Sequence, residues 1–515
     1  MNFIKKDNFY LGLIIFIIGF GFNFYYANLG VFPVDSFLHY DSGFKFIANE
    51  LPLRDYWIVH GLSLDIIQYF FFKIFGVNWV SYLLHSSIFN GVLALFFYRL
   101  LTLYSLNYIL SFILGILFSI LAYPVSGTPF LDLHSTYFSL VSYFIFIYYL
   151  KRENPKIFVL IPIFFGLSFF SKQVPATYFI VTFIFFYLFY IFKSKNLITL
   201  KYLFYGTFIF LLALFIFLLI NKINFSLMFT ELFLYPMSIG DERLNSFELN
   251  ISKIISNYKF IIISIFALAY TMYSVDLNYQ KKLICFMLIF FSIILIYHQL
   301  MTKNQNFLFF LIPLNASFFI LFNQLNFKRK KLLIISTLVI CVILTVKYHV
   351  RFNEERKFHD LQNTNLKNFI PASYIDESLT FLKWITADYK QDPAKEIKII
   401  KEVKIELDNN TENKLLISNY LFLDAITQNK IFSISRTFDD ISFPSKKNKY
   451  YNFYKDFFIK KLKKNNIKKI YVFFNKNEIN GAMDKYVFSY ISSDCFKIYK
   501  KHEELIELTL IDGCI

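Results

Sequence analysis

The sequence predicts an α-helical polytopic membrane protein, with about 11 transmembrane helices and a C-terminal soluble α/β domain. Three observations carry that reading. The chain of 515 residues is 56% hydrophobic and 21% aromatic, yet only 17% of it is charged, against roughly 25% in soluble proteins. Its apolar residues fall in runs long enough to cross a bilayer, which takes about 20 residues. Charge density then changes along the chain: residues 1–347 hold 25 Lys+Arg and 13 Asp+Glu, whereas the shorter stretch 348–515 holds 28 and 23. Residues 1–347 are therefore read as the transmembrane module and 348–515 as an extracytoplasmic domain. The apolar content excludes disorder, and four Cys in 515 residues exclude a disulfide scaffold. The net charge of +17 rests on 45 Lys against 8 Arg with no basic aromatic groove, so nucleic acid is not an expected partner.

Apolar runs place spans near 9–27, 79–101, 106–123, 130–150, 157–171, 174–192, 201–220, 258–275, 283–299, 306–323 and 332–348. The first is too long and aromatic for a signal peptide and lacks a small-residue cleavage site. Basic clusters at Lys151/Arg152/Lys156, Lys193/Lys195/Lys201 and Lys281/Lys282 fall, with Arg99, on alternate connections. By the positive-inside rule those turns are cytoplasmic, as is the N-terminus, and the tail lies outside. Base-biased composition and the lack of a eukaryotic retention signal point to a bacterial inner membrane with a periplasmic tail. Cys495 and Cys514 are then placed to pair in an oxidising compartment, while Cys285 and Cys341 lie in spans as packing residues. In the tail, an amphipathic helix is expected over 375–390, and strands at Lys414–Ser418 and Lys469–Phe474. No nucleotide-binding glycine loop is present, so the tail reads as an accessory or acceptor-side domain.

Ionisable groups are costly in a membrane and mark function there. Ten of the 13 acids before residue 348 fall on the outer side, and the densest stretch is the first outer loop, 28–78. There Asp41 is expected to open a short helix, Ser42–Asn49, and a second amphipathic helix, Leu64–Phe75, to lie along the interface.

The order of an acidic residue, a helix, Glu50-x-Pro52-x-x-Asp55-Tyr56, Gly61-x-x-x-Asp65, an aromatic helix and Phe75-Gly76 resembles the first outer loop of the GT-C superfamily. These are polytopic glycosyltransferases that use polyprenyl-phosphate sugars, among them protein O-mannosyltransferases and the lipid A aminoarabinose transferase. The likeness covers about residues 1–320. It implies transfer of a sugar from a polyprenyl-phosphate donor to a hydroxyl of a lipid, polysaccharide or protein acceptor, with inversion. Asp41 matches the family's catalytic acid, Asp35 is a close alternative, and Asp132 resembles the acid of the second outer loop. Lys172-Gln173 is similar to the basic outer pair of several members.

Transfer at an anomeric carbon needs a carboxylate to take the acceptor proton. Asp41 is the first choice, although a salt bridge to Lys45, four residues on, is its structural alternative. The leaving phosphate needs positive charge, for which Lys172 is a candidate unless it merely snorkels to the headgroups. Arg243 is a second candidate unless it only pairs with its acidic neighbours. His39, Asp41, Asp132 and His134 have ligand types suited to a divalent cation, Mg, Mn or Zn. Asp55, Tyr56, Trp57 and His60 are read as an interface of the loop with the membrane or the acceptor. Three other readings remain, one of them a structural envelope protein with a binding tail. A polysaccharide polymerase or O-antigen ligase would concentrate Arg and His in a late outer loop, and a transporter would show inverted repeats and broken spans.

Overall fold

The computed structural model describes residues 6–123, 126–245, 247, 250–302, 308–323, 327–439 and 441–514. A helix stands at each of the eleven predicted span positions. Among the described residues seven are long and apolar enough to cross a membrane: Phe9–Tyr26, Trp79–Leu103, Gln173–Ser194, Ile198–Ile220, Ile251–Ser274, Tyr279–Thr302 and Lys331–His359. Tyr108–Ala122, Pro155–Phe169 and Leu311–Phe322 are apolar but shorter. Leu131–Arg152 has the length, but its buried residues include Asp132, His134 and Thr136 and a run of serines. The chain divides into two compact units, one of residues 1–29, 83–216 and 246–364, the other of 30–82, 217–245 and 365–515.

The first unit is a helical bundle whose helices approach through small and polar residues. A Cβ on Gly91 would stand 2.8 Å from the Phe16 carbonyl oxygen, so only glycine permits that crossing. Beside it Asn90 Nδ2 donates to the Gly19 carbonyl at 2.8 Å and the Ser119 carbonyl at 3.2 Å. Asn23 Nδ2 reaches Ser86 and Ser87 hydroxyls and the Gly127 carbonyl within 3.1 Å. Lipid gives no hydrophobic drive for helices to associate, and close packing with interhelical hydrogen bonds is what remains. Asn107 and Asn250 start their helices as N-caps, each accepting from a backbone N–H of the first turn.

The second unit carries a five-stranded sheet in the spatial order Ile431–Phe432, Lys414–Ser418, Lys469–Phe473, Leu505–Leu510, Phe496–Lys500. The two strands expected from apolar runs are present, neighbouring and parallel, with Lys414 opposite Lys469. The helix expected over 375–390 is not. That stretch holds a 3₁₀ turn at Glu377–Leu379 and a strand Lys383–Trp384 paired with Ile370–Pro371. The helix begins instead at Pro393, where Asp392 caps the Lys395 N–H and Pro occupies the first turn. Trp384 Nε1 donates to Glu396 at 2.9 Å, which ties this short strand to that helix.

The domain boundary also differs from the expected 347/348. Residues 348–364 belong with the bundle, and the loop 30–82 belongs with the sheet unit. Trp57 N–H donates to the Ile434 carbonyl at 2.7 Å and Arg436 N–H to the Trp57 carbonyl at 3.0 Å, a parallel bridge across more than 370 residues of chain. Cys495 and Cys514 form the expected disulfide, with Cα atoms 5.5 Å apart. Closing a loop of this length stabilises by about 3 kcal/mol in the chain-entropy account. Cys495→Ser should therefore lower the denaturation midpoint of the protein and abolish the faster migration of the oxidised form on non-reducing gels. Equal migration with and without reductant would count against the bond.

Candidate functional site

Within the sheet unit, two helices of the loop 30–82 set out the polar residues. The first, Pro33–Ile47, opens on Pro33 with Asp35 in its first turn, a favourable end for an acid. Asp41 therefore lies in mid-helix and does not open a helix at Ser42 as expected. The second, Ser63–Phe75, stops at Gly76 with φ +82°. The two pack closely because position 43 is glycine: a Cβ there would stand 2.7 Å from Gln68 Cγ.

This packing buries a charged face. Asp41 and Lys45 are 1% and 2% exposed, and Lys45 Nζ donates to Asp41 Oδ2 at 2.5 Å. Asp41 Oδ1 is buried with no hydrogen-bond partner among the described residues. Burial pushes the Asp41 carboxyl up to about 6 against the pull of Lys45, and Glu50 and Asp65 push the same way. Lys45 also lies 5.1 Å from the Tyr56 ring centre and feels Asp424, whose own carboxyl burial drives well above the usual range.

A second group surrounds Asp65. His39 Nδ1 and Ser42 Oγ both lie 2.7 Å from Asp65 Oδ1, and Arg436 pairs with Oδ2. Arg436 also donates to the carbonyls of His60 at 3.2 Å and Gly61 at 3.4 Å. Burial raises the Asp65 carboxyl, but Arg436, then His39 and Ser42, outweigh it and leave it below the ordinary range. Burial also lowers His39 despite Asp65. An ionised Asp65 beside a neutral imidazole places the ring proton on Nδ1. Nε2 is then a lone-pair acceptor, and it is buried with no partner among the described residues.

Glu231 sits in a π-helical turn, Thr230–Leu234, a local widening frequent at functional sites. Its Oε2 accepts the Ile58 N–H at 2.8 Å, while Oε1 has no partner among the described residues. Burial holds this carboxyl well above the usual range. Tyr56 OH and Trp57 Nε1 are likewise buried without partners among the described residues. Each such atom costs about 1–3 kcal/mol, and native proteins keep few of them without a reason. These atoms, between His39 and Trp57 together with Glu231, make this face the candidate polar site of the unit.

The expected interface set is corrected here. Tyr56 and Trp57 are fully buried, Trp57 among Tyr235, Tyr454 and Phe457, because the tail folds over the loop. Asp55 is an ion-pair centre for Arg54, Lys461 and Lys464, and His60 supplies its carbonyl to Arg436. Asp35 is half-buried. Six residues at ~100° each set it about 120° around the helix from Asp41, away from the Lys45 pair.

In the bundle unit, Asp132 stands in the first turn of Leu131–Arg152. Its Oδ2 accepts from Lys172 Nζ at 2.7 Å, and its Oδ1 lies 2.8 Å from His298 Nε2. Lys172 caps the start of Gln173–Ser194, and Gln173 is its first, largely buried residue. His298 comes from the last two turns of Tyr279–Thr302. Gln299 beside it is buried with neither amide atom partnered among the described residues. His134 Nδ1 faces the Tyr123 hydroxyl at 2.5 Å, and its ring stacks on Phe89. Arg243 is half-buried in the last turn of Tyr235–Asn245, in the sheet unit.

Each of the four residues suggested for a divalent ion has a partner at one of its atoms. His39 is held by Asp65, Asp41 by Lys45, Asp132 by Lys172 and His298, and His134 by Tyr123. Among the described residues no three His, Cys, Asp or Glu side chains converge as metal ligands.

Sequence reasoning gave no role to Arg436, Asp424 and Glu231, and gave Asp65 only its place in the Gly-x-x-x-Asp pattern. For Arg436 one signal existed: it is one of 8 Arg in a chain with 45 Lys, and arginine is the residue suited to a buried, forked carboxylate pair. Compared with known proteins, the chain matches no protein-family profile and no curated protein.

Proposed function

We propose that the protein is a membrane glycosyltransferase of the GT-C kind. It moves a sugar from a polyprenyl-phosphate donor to an acceptor hydroxyl on the outer face of the membrane, with inversion. The observation that carries this reading is Asp41: a buried carboxylate with one oxygen anchored by Lys45 and the other without a partner among the described residues. Anchoring fixes the carboxyl, and the second oxygen takes the proton of the acceptor hydroxyl. The hydroxyl oxygen then attacks the anomeric carbon as the bond from that carbon to the phosphate oxygen breaks, and the electron pair leaves with the phosphate. Arg243, in the same unit as Asp41, is the candidate to neutralise that phosphate.

The eleven helices then cross the membrane with the N-terminus cytoplasmic, and the alternation of basic clusters supports a periplasmic tail in a bacterial inner membrane. The pair Asp65–His39 favours a second assignment, in which His39 Nε2 takes the proton and Asp65 orients the ring.

A general base works best with a pKa near the operating pH. With the Asp41 carboxyl held at about 6, transfer needs its ionised form, so the rate should climb between pH 5 and 7 and level above. The measurement is a pH profile of kcat/KM with saturating acceptor. A rate already flat at pH 5 would remove Asp41 as the base.

A further inference from the structure

The helix Tyr451–Lys464 presents Phe457, Lys460, Lys461 and Lys464 at spacings of three and four, which puts them on one side. With the turn at Leu53–Arg54 and the segment 222–227, this side walls a groove of about 570 Å³. Five cations line the groove, Arg54, Lys222, Lys460, Lys461 and Lys464, against a single lining carboxylate, Asp456. Behind them Asp55 serves three at once: Arg54 at 2.6 Å, and Lys461 and Lys464 at 3.5 Å each. Lys461 also donates to the Arg54 carbonyl. Positive charge therefore exceeds its internal partners. The strain is visible at Lys461, whose ammonium is lowered to about 8 by burial, opposed by Asp55 and reinforced by Lys464. The remaining wall is apolar, from Leu53, Leu227, Phe453 and Phe457.

The chain also indicates the depth of this groove. Lys222 follows by two residues the end of Ile198–Ile220, which has the highest mean hydropathy of the seven long helices, 2.8. Phe225 and Phe229, just beyond, are 67% and 41% exposed. A lysine just beyond an apolar span, beside exposed apolar side chains, is the arrangement of a membrane–water boundary, where each cation adds about 1 kcal/mol of attraction for anionic lipid.

We propose that this groove binds the phosphate of an anionic amphiphile, the cations taking the phosphate and the Phe–Leu wall the adjoining apolar part. None of its cations belongs to the groups assigned to sugar transfer, and the inference stands without that assignment. The shared chemistry is a phosphate with uncompensated negative charge, from a lipid headgroup or free in solution.

The test uses the full-length protein in neutral detergent and reads its thermal unfolding midpoint against added phosphatidylglycerol, phosphatidylcholine or inorganic phosphate. Phosphatidylglycerol should raise the midpoint saturably and phosphatidylcholine should not. In the double variant Lys222→Glu/Lys460→Glu, both positions being exposed, the half-saturating concentration should rise about tenfold or more. The neutral pair Lys222→Gln/Lys460→Gln should fall between, and it carries the test if charge reversal prevents folding. A saturable shift from inorganic phosphate alone, lost in the same variants, supports the phosphate site and assigns its source to solution. No shift with either anion, or an equal shift in the variants, overturns the proposal.

Discussion

Asp41→Asn is expected to lower sugar transfer by about 10²–10⁴-fold, the usual contribution of a general base, while leaving the protein folded and able to hold its donor. The substitution keeps the shape of the side chain and removes its charge, and with it the capacity to accept a proton. Lys45 is then left without its carboxylate at 2.5 Å, although Glu50 and Asp424 still act on it. A modest loss of stability therefore accompanies the loss of rate, and Lys45→Met in the Asp41→Asn background should recover the stability without recovering the rate. That separation is informative, because a purely structural Asp41 would lose and regain both together. If the well-folded Asn variant retains transfer, the base moves to His39, and His39→Gln becomes the inactive variant.

Arg436→Ala is expected to destabilise the protein by about 3–5 kcal/mol, because it leaves the fully buried Asp65 without its cation. The guanidinium also bridges the carbonyls of His60 and Gly61, so the variant loosens the joint between the loop and the tail as well. Its pH dependence has a defined sign. The Asp65 carboxyl lies below its ordinary value in the folded protein, so its contribution is present above about pH 4 and is lost as pH falls through the folded value. Without Arg436, burial instead raises the group, and protonation then favours the folded form. Chemical denaturation at pH 7 and pH 4.5 should show the gap between wild type and Arg436→Ala narrowing at the lower pH. A gap under 1 kcal/mol at pH 7, or one that widens on acidification, would show that Asp65 draws little from the pair. Asp65→Asn combined with Arg436→Met should cost far less than Arg436→Ala alone, since removing both charges leaves none buried unpaired.

The helices were legible because a membrane imposes a strong pattern: runs of apolar residues of fixed length, with basic residues between them. Leu64–Phe75 was legible for a related reason, since its apolar residues recur at helical spacing. The sequence signals place the start of the helix carrying Asp41 nine residues, more than two turns, too late. Pro33 and Asp35 are start signals, but they sit in a stretch rich in turn residues and read there as loop. The tail helix was placed too early, on the apolar spacing of 375–390, although Asp392-Pro393 is the better start signal.

The joining of the loop to the tail had no readable signature. The bridge of Trp57 to Ile434 and Arg436 is made by backbone groups, which every residue carries. The site was legible in its residue types and illegible in its pairings. Asp41 with Lys45 follows from helical spacing, whereas Asp65 with Arg436, and Asp132 with His298, join residues 371 and 166 positions apart. The same distance in sequence explains why Tyr56 and Trp57 were expected at a surface: an aromatic pair in a polar loop looks interfacial until the tail that covers it is known.

The most direct measurement is incubation of the purified protein with a set of polyprenyl-phosphate sugars, reading thermal stabilisation and sugar transfer together. Glycosyl transfer predicts that at least one donor stabilises the wild type, by about 2.7 kcal/mol at a hundred times its dissociation constant. The same donor should stabilise Asp41→Asn comparably while yielding no transferred sugar. Absence of stabilisation and of product across all the donors would contradict the assignment.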